Sequence, residues 1–281
     1  MAALEKGMTP GTIRTDAPVT IGKWQPRNYN DKYYGEVSLS TALAKSLNSV
    51  AVQLAREVGP AAVVETAWRM GIESDLEPNL SIALGTSEVT PLELTAAYVP
   101  FANGGFRPDI HVIQRVTTVG GEVLYEHRTA KGPRVVRPEV IGMMNAMMAQ
   151  TVSEGTARRA AFGWPAAGKT GTSQNSRDAW FVGYTANLTT GVWFGNDDNS
   201  PTKNITGGSL PAQAWNEFMT AAHEGVPVAK LPGGWTGRVL ADIEDILGRN
   251  PAPAEAAHTA SIDRPQPPAD VGAPPRPERP V

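Results

Sequence analysis

"AAGKTGTSQNSRDAWFVGYT", Ala166–Thr185, is the stretch on which the fold turns. Its two ends are strand-like runs, Ala167–Ser173 and Ala179–Thr185, and a third run follows at Thr190–Gly195. The short "NLTT" connection predicts that the last two are antiparallel neighbours. The first run carries Lys169-Thr170-Gly171-Thr172. An ammonium and two hydroxyls brought to one spot make a receptor for a carboxylate. Gly171 has no side chain, so a substrate can lie along the strand as an added β-strand. The amide next to it can then face a developing oxyanion.

Outward from this sheet the pattern turns helical. "VSLSTALAKSLNSVAVQLAREVGP" places apolar residues at 39, 43, 47, 50, 54 and 58, which predicts one helix from an N-cap at Ser38 to a stop at Gly59-Pro60. Ala61–Met70 is a further helix closed by Gly71. Thr90, Pro91 and Glu93 spell a capping box opening a helix that ends near Asn103-Gly104. Pro138–Ser153 reads as an amphipathic helix whose methionines fill a core, and Leu210–His223 as a last helix packed on the sheet. "HVIQRVTTVGGEVLYEH" predicts a hairpin around Gly120-Gly121, and Gly11–Tyr34 an ordered surface loop. Helices before and after an antiparallel sheet make the chain α+β. The expected division is a folded unit over residues 1–248 and a Pro-rich tail over residues 249–281 too poor in apolar surface to fold.

With 25 basic against 28 acidic residues, the charge balance gives no reason to expect a nucleic-acid partner or an anionic membrane surface. The absence of cysteine excludes disulfide and thiolate chemistry. No apolar run approaches the ~20 residues of a membrane span, and Met1–Thr15 carries no export signal. The four histidines are scattered in sequence, with surface or half-buried positions expected, and no metal or cofactor is called for. Asp197-Asp198 reads as a solvated loop, and the glycine pairs as turns without phosphate-loop spacing.

Ser46-Leu47-Asn48 is the second candidate element, a proton-relaying hydroxyl and a substrate-orienting amide. Ser-x-Asn and Lys-Thr-Gly are two of the three short motifs of penicillin-binding proteins and class A β-lactamases. Longer stretches carry the resemblance further: "LEKGMTPGTIRTDAPVTIG", "ALAKSLNSVAVQLAREVGP", "LGTSEVTPLELTAAYVPFANGG", "GKTGTSQNSRDAWFVGYTANLTTGVWFGNDD" and "TGGSLPAQAWNEF". In this order they resemble the transpeptidase domain of bifunctional class A penicillin-binding proteins, from Met1 to about Gly225.

The resemblance implies the penicilloyl-serine-transferase fold and a peptidoglycan D,D-transpeptidase activity at the periplasmic face of the inner membrane. Its partners would be stem peptides and β-lactams. By motif position, Ser46 would relay protons between the leaving amine and Lys169, and Asn48 would bind the donor peptide. Lys169 would supply positive potential. Thr170 and Thr172 would hold the terminal carboxylate beside Gly171, with the Thr172 amide as half of an oxyanion hole.

The family's nucleophile lies in a Ser-x-x-Lys at the start of the helix whose end resembles "MAALEKGMTP". The expectation is a fragment beginning just after that serine, without the family's membrane anchor and glycosyltransferase domain, and inactive by itself. Ser200-Pro201-Thr202-Lys203 has the Ser-x-x-Lys spelling but falls after the last strand, ahead of the Gly207-Gly208 pair. Two other readings stand beside this one. A class A β-lactamase-like hydrolase needs Glu-x-x-Leu-Asn, and Glu77-Pro78-Asn79-Leu80 is followed by Ser81 instead. A non-catalytic module would bind carboxylate-ended peptides through Lys169, Thr170 and Thr172 alone. If the family's flanking strands are missing, "GVWFG" becomes an apolar sheet edge prone to aggregation.

Overall fold

The opening residues form a single helical turn, α1 (Ala2–Glu5), with Leu4 in the core, and the chain reverses at Gly7. These are the first elements of a computed structural model that describes residues 1–128 and 132–235. The tail expected from residue 249 lies outside the described residues, as does His258.

The region predicted as a loop contains a strand. β1 (Ile13–Asp16) pairs antiparallel with β2 (Gly35–Ser38), Ile13 opposite Ser38 and Asp16 opposite Gly35. No apolar alternation announces β1, because the one residue it buries is the charged Asp16, at 1% exposure.

The predicted single helix is two. α2 (Leu39–Lys45) starts at Ser38, whose hydroxyl accepts from the Thr41 amide, and α3 (Asn48–Val58) follows after a break. Ser46 sits in the left-handed region at φ 56°, ψ 51°, and Leu47 is extended. The Ser46 amide donates to Leu43 O at 3.1 Å and the Leu47 amide to Ala42 O at 2.9 Å. This is the paired bonding of a Schellman end, built here on serine instead of glycine. The apolar stripe survives the break, since Leu39, Leu47, Val50 and Val58 are all buried, so periodicity alone could not reveal it.

α4 (Pro60–Met70) ends at Gly71, and a 3₁₀ turn spans Leu80–Leu84. α5 (Pro91–Asn103) opens on the predicted capping box: Thr90 Oγ1 accepts from the Glu93 amide and Glu93 Oε2 from the Thr90 amide. The hairpin follows as β3 (Arg115–Thr117) and β4 (Val123–Glu126), exposed at every position, and α6 (Pro138–Ser153) matches its predicted span. Three strands then form one antiparallel sheet: β5 (Ala167–Thr172), β6 (Asp178–Tyr184) and β7 (Thr189–Gly195), in that spatial order. α7 (Leu210–Ala222) is the last described helix.

Alternation along β6 explains the layering. Tyr184 points to a core built with Phe101, Met144 and Met148 from α5 and α6. Phe181 points the other way, to a second core with Ala212, Trp215 and Met219 of α7. Trp215 meets the Phe181 ring edge-on at 5.2 Å and donates its indole N–H to Thr190 O at 3.1 Å. The central strand is therefore buried on both faces. Among the described residues, β5 is left as an edge carrying the Lys-Thr-Gly-Thr run.

Candidate active site

Three segments meet at β5: the break between α2 and α3, the loop after α6 and the stretch at Gly207. The break between α2 and α3 presents Ser46, and Lys169 reaches across from β5 to donate from Nζ to Ser46 Oγ at 2.7 Å. Nζ also donates to Thr170 O at 2.9 Å. These hydrogen-bonding oxygens are uncharged, and burial pushes the Lys169 pKa down from 10.5 to about 8. An ammonium with its solvation reduced and only neutral acceptors gives up its proton more readily than a free lysine. Asn48 opens α3 with its side chain donating to Arg27 O at 2.7 Å, which leaves its amide oxygen to accept from another group.

The two threonine hydroxyls do not join Lys169. Register places Lys169 opposite Val182 but Thr170 opposite Phe181 and Thr172 opposite Ala179, so both threonines belong to the α7 face. Thr170 Oγ1 pairs with Thr156 Oγ1 at 2.7 Å, and Thr172 Oγ1 accepts from the Gly207 amide at 3.0 Å. The ammonium and the hydroxyls thus flank the open β5 edge from opposite sides. Gly171 has a structural duty as well, since a Cβ there would lie 3.3 Å from Trp180 Cβ.

Sequence reasoning missed Thr156 and Gly207. Thr156 lies in the loop after α6, where its amide donates to Ala44 O at 3.0 Å and closes the end of α2. It therefore links the Ser46 elbow to the Thr170 hydroxyl. Gly207 crosses the sheet so closely that a Cβ would stand 2.2 Å from Trp180 O and 2.5 Å from Gly171 O. The available signal is the "TGG" of "TGGSLPAQAWNEF", a stretch that carries the family resemblance but assigns Gly207 no place in the site.

The other candidates separate from this site. Ser200 accepts from Asn196 Nδ2 at 3.1 Å in a non-helical loop, and forms no bond with Lys203 among the described residues. Glu77 is exposed and accepts from Asn79 Nδ2 at 3.1 Å. The histidines are less scattered than their sequence positions imply. His223 is buried, not half-buried, with Nδ1 on Met219 O and Nε2 on the Thr185 hydroxyl. His111 stacks on His127 at 3.6 Å and 18°, and His127 Nε2 lies 3.1 Å from Asp109 Oδ2. The donor atoms of these three fall within 4.8 Å, and both His111 nitrogens already face oxygens, Asp109 O at 3.2 Å and Gln114 Oε1 at 2.9 Å.

A helix-flanked antiparallel sheet thus carries on its edge strand, among the described residues, a lysine that faces a hydroxyl on a helix break. The family profile of the penicillin binding protein transpeptidase domain matches residues 1–220, and the chain belongs to that family. It is 40% identical over 227 residues to penicillin-binding protein 1A of Aquifex aeolicus, covering 78% of this chain and 31% of that protein. It is 36% identical over 239 residues to penicillin-binding protein 1A of Neisseria cinerea, covering 80% and 30%. Among solved structures, penicillin-binding protein 1A from Haemophilus influenzae superposes with a TM-score of 0.77 at 28% identity, covering 82% of this chain and 41% of that one. The penicillin-binding protein PonA1 from Mycobacterium tuberculosis gives a TM-score of 0.77 at 27% identity, covering 92% and 73%. A second PonA1 structure, in complex with penicillin V, gives 0.76 at 28% identity, covering 84% and 71%. The chain spans about a third of the length of the penicillin-binding proteins 1A it matches in sequence.

Proposed function

We propose that these residues form the substrate-gripping and proton-relay half of a peptidoglycan D,D-transpeptidase site at the periplasmic face of a membrane. The observation that carries this reading is the 2.7 Å bond between Lys169 Nζ and Ser46 Oγ at an open sheet edge. A D-alanyl-D-alanine stem peptide lies along β5 with its terminal carboxylate at the Thr170 and Thr172 hydroxyls, and Asn48 binds its backbone. When a serine hydroxyl attacks the penultimate carbonyl, its proton passes along Ser46 to neutral Lys169 Nζ, and the Thr172 amide faces the oxyanion. The expelled D-alanine amine takes its proton along Ser46, and Lys169 restores it. β-Lactams, which present a carboxylate beside a strained amide, fit the same half-site.

Ser46 acts here as the relay and not as the nucleophile, and binding without acylation is the expected behaviour of these residues. Purified chain incubated with a fluorescent penicillin is expected to show no covalent adduct after denaturation. A D-alanyl-D-alanine peptide is expected to bind saturably, and Thr170→Val, which removes a hydroxyl proposed to hold the carboxylate, to weaken that binding. A covalent adduct on any side chain would overturn the inactive reading. Absence of saturable binding would overturn the gripping role, and steady turnover of β-lactam would point to the hydrolase instead.

A further inference from the structure

The buried Asp16 has no part in the proposed chemistry, yet it is the hub of the polar network behind Ser46 and Asn48. Its carboxylate is 1% exposed and takes three donors. Asn28 Nδ2 reaches Oδ1 at 2.7 Å, the Tyr34 amide reaches Oδ2 at 2.9 Å, and the Ser49 hydroxyl donates to Oδ1. Asn28, 5% exposed, turns its own oxygen to the Ser49 amide at 3.1 Å and also donates to Lys32 O at 2.9 Å. Ser49, with no exposure, is thus held through both its hydroxyl and its amide. Ser49 directly follows Asn48, whose side chain is tied to Arg27 O beside Asn28.

Only an acceptor-only side chain fits this position. Three donors converge on two oxygens, and an amide in place of the carboxylate would turn an N–H toward one of them. The network locks the first turn of α3, while the Schellman bonds lock the end of α2. Between them Ser46 is kept in a left-handed conformation that costs about 1–2 kcal/mol for an L-residue. Such strain persists only where the surroundings over-determine it.

We infer that Asp16 is a positioning residue: through Ser49 and Asn28 it fixes the α2–α3 elbow, and so holds Ser46 Oγ against Lys169 and limits the access of water to the ammonium. This rests on the relay role proposed for Ser46 and Lys169 and adds the device that keeps the relay aligned. Loosening the elbow lets more water reach Nζ. Lys169 faces only Ser46 and the Thr170 carbonyl as hydrogen-bond acceptors among the described residues, and no carboxylate pairs with it there. Its proton affinity therefore reports on the elbow.

The test compares Ser49→Ala with Val152→Ala, a cavity in the second core used as a control for lost stability. Lys169 is titrated by pH-dependent acylation and peptide mass spectrometry, and amide exchange is followed over residues 46–50. In Ser49→Ala the Lys169 midpoint is expected to rise from about 8 by about one unit, a tenfold change in proton affinity. Exchange over residues 46–50 is expected to quicken, and Val152→Ala to move neither. Equal behaviour of the two variants would overturn the assignment. Should Ser49→Ala fail to fold, exchange in the unsubstituted chain decides. The Ser49 and Tyr34 amides, both held by the network, are expected to open with one free energy, and independent openings would overturn it. If the unsubstituted chain binds no D-alanyl-D-alanine peptide, the gripping function falls, but the Lys169 titration still judges Asp16.

Discussion

Ser46 offers the sharpest quantitative test, because substitution by alanine and by glycine should rank opposite to their usual helical order. Both variants remove the hydroxyl that accepts from Lys169 at 2.7 Å. That loss costs about 1.5–3 kcal/mol, since the donor is charged and keeps only the Thr170 carbonyl. The variants differ in backbone alone. Alanine at φ 56°, ψ 51° keeps the left-handed penalty of about 1–2 kcal/mol. Glycine removes it but adds back about 0.4–1 kcal/mol of unfolded-state freedom. Ser46→Gly should therefore be the more stable of the two by about 0.5–1 kcal/mol. In the continuous helix that the apolar stripe predicts, glycine would instead be worse than alanine by about 1 kcal/mol.

The two readings are thus separated by about 1.5–2 kcal/mol and, more usefully, by sign. Thermal or urea unfolding resolves this, since 1 kcal/mol moves Tm by about 2–4 °C in a domain of 150–250 residues. Glu65, exposed in the middle of α4, supplies the internal control: there the alanine variant should be the more stable. If Ser46→Ala matched or exceeded Ser46→Gly while the Glu65 pair behaved normally, the elbow would be wrong, and the placement of the Ser46 hydroxyl with it.

Thr90→Ala removes one half of the capping box and should cost about 1 kcal/mol, read as a shift of the unfolding midpoint at unchanged slope. Burial pushes the Glu93 carboxyl up, but hydrogen bonds from the Ser74 hydroxyl, the Thr90 and Glu73 amides and the Thr90 hydroxyl outweigh it and hold the pKa at about 2. A carboxyl depressed in the folded state stabilises fully above its unfolded value near 4.3, and that stability is lost as pH falls toward 2. Stability of Glu93→Gln relative to the unsubstituted chain should narrow over that window, and a constant gap would refute the assignment. Burial holds Lys169 below its usual range, so the unfolded chain binds more protons between pH 8 and about 10.4. Stability should rise with pH there by an amount that Lys169→Met abolishes. β7 has no partner on its outer edge among the described residues and exposes Trp193. Trp193→Lys should therefore lower concentration-dependent light scattering, and no change would argue that the edge is not the sticky surface.

What the sequence made legible was whatever a short-range rule encodes. The Thr90-Pro91-Glu93 box, the ends of α6 and the antiparallel pairing of β6 with β7 are each written in a few adjacent residues, and the structure keeps them within a residue or two. What it concealed depends on polar groups far apart in the chain. β1 buries a carboxylate satisfied from Asn28, Tyr34 and Ser49, so no apolar period marks it. The break at Ser46 leaves the helical stripe intact, and Thr156 joins the site only because the loop after α6 folds against the end of α2.

These hidden features coincide with the candidate site, and there is a physical reason for it. A hydroxyl on a regular helix face is directed by that helix and its neighbours in the ladder. Breaking the helix at Ser46 frees the side chain to point at Lys169, at the expense of a left-handed residue that local propensity opposes. The expense has to be met by non-local bonds, here Asp16 behind α3 and Thr156 behind α2. A chain in which Ser46 sat in an ordinary helical turn would need neither. The buried Asp16 and the crossing at Gly207, costly as general stabilisers, make sense once Ser46 and β5 must each be held to a fraction of an ångström.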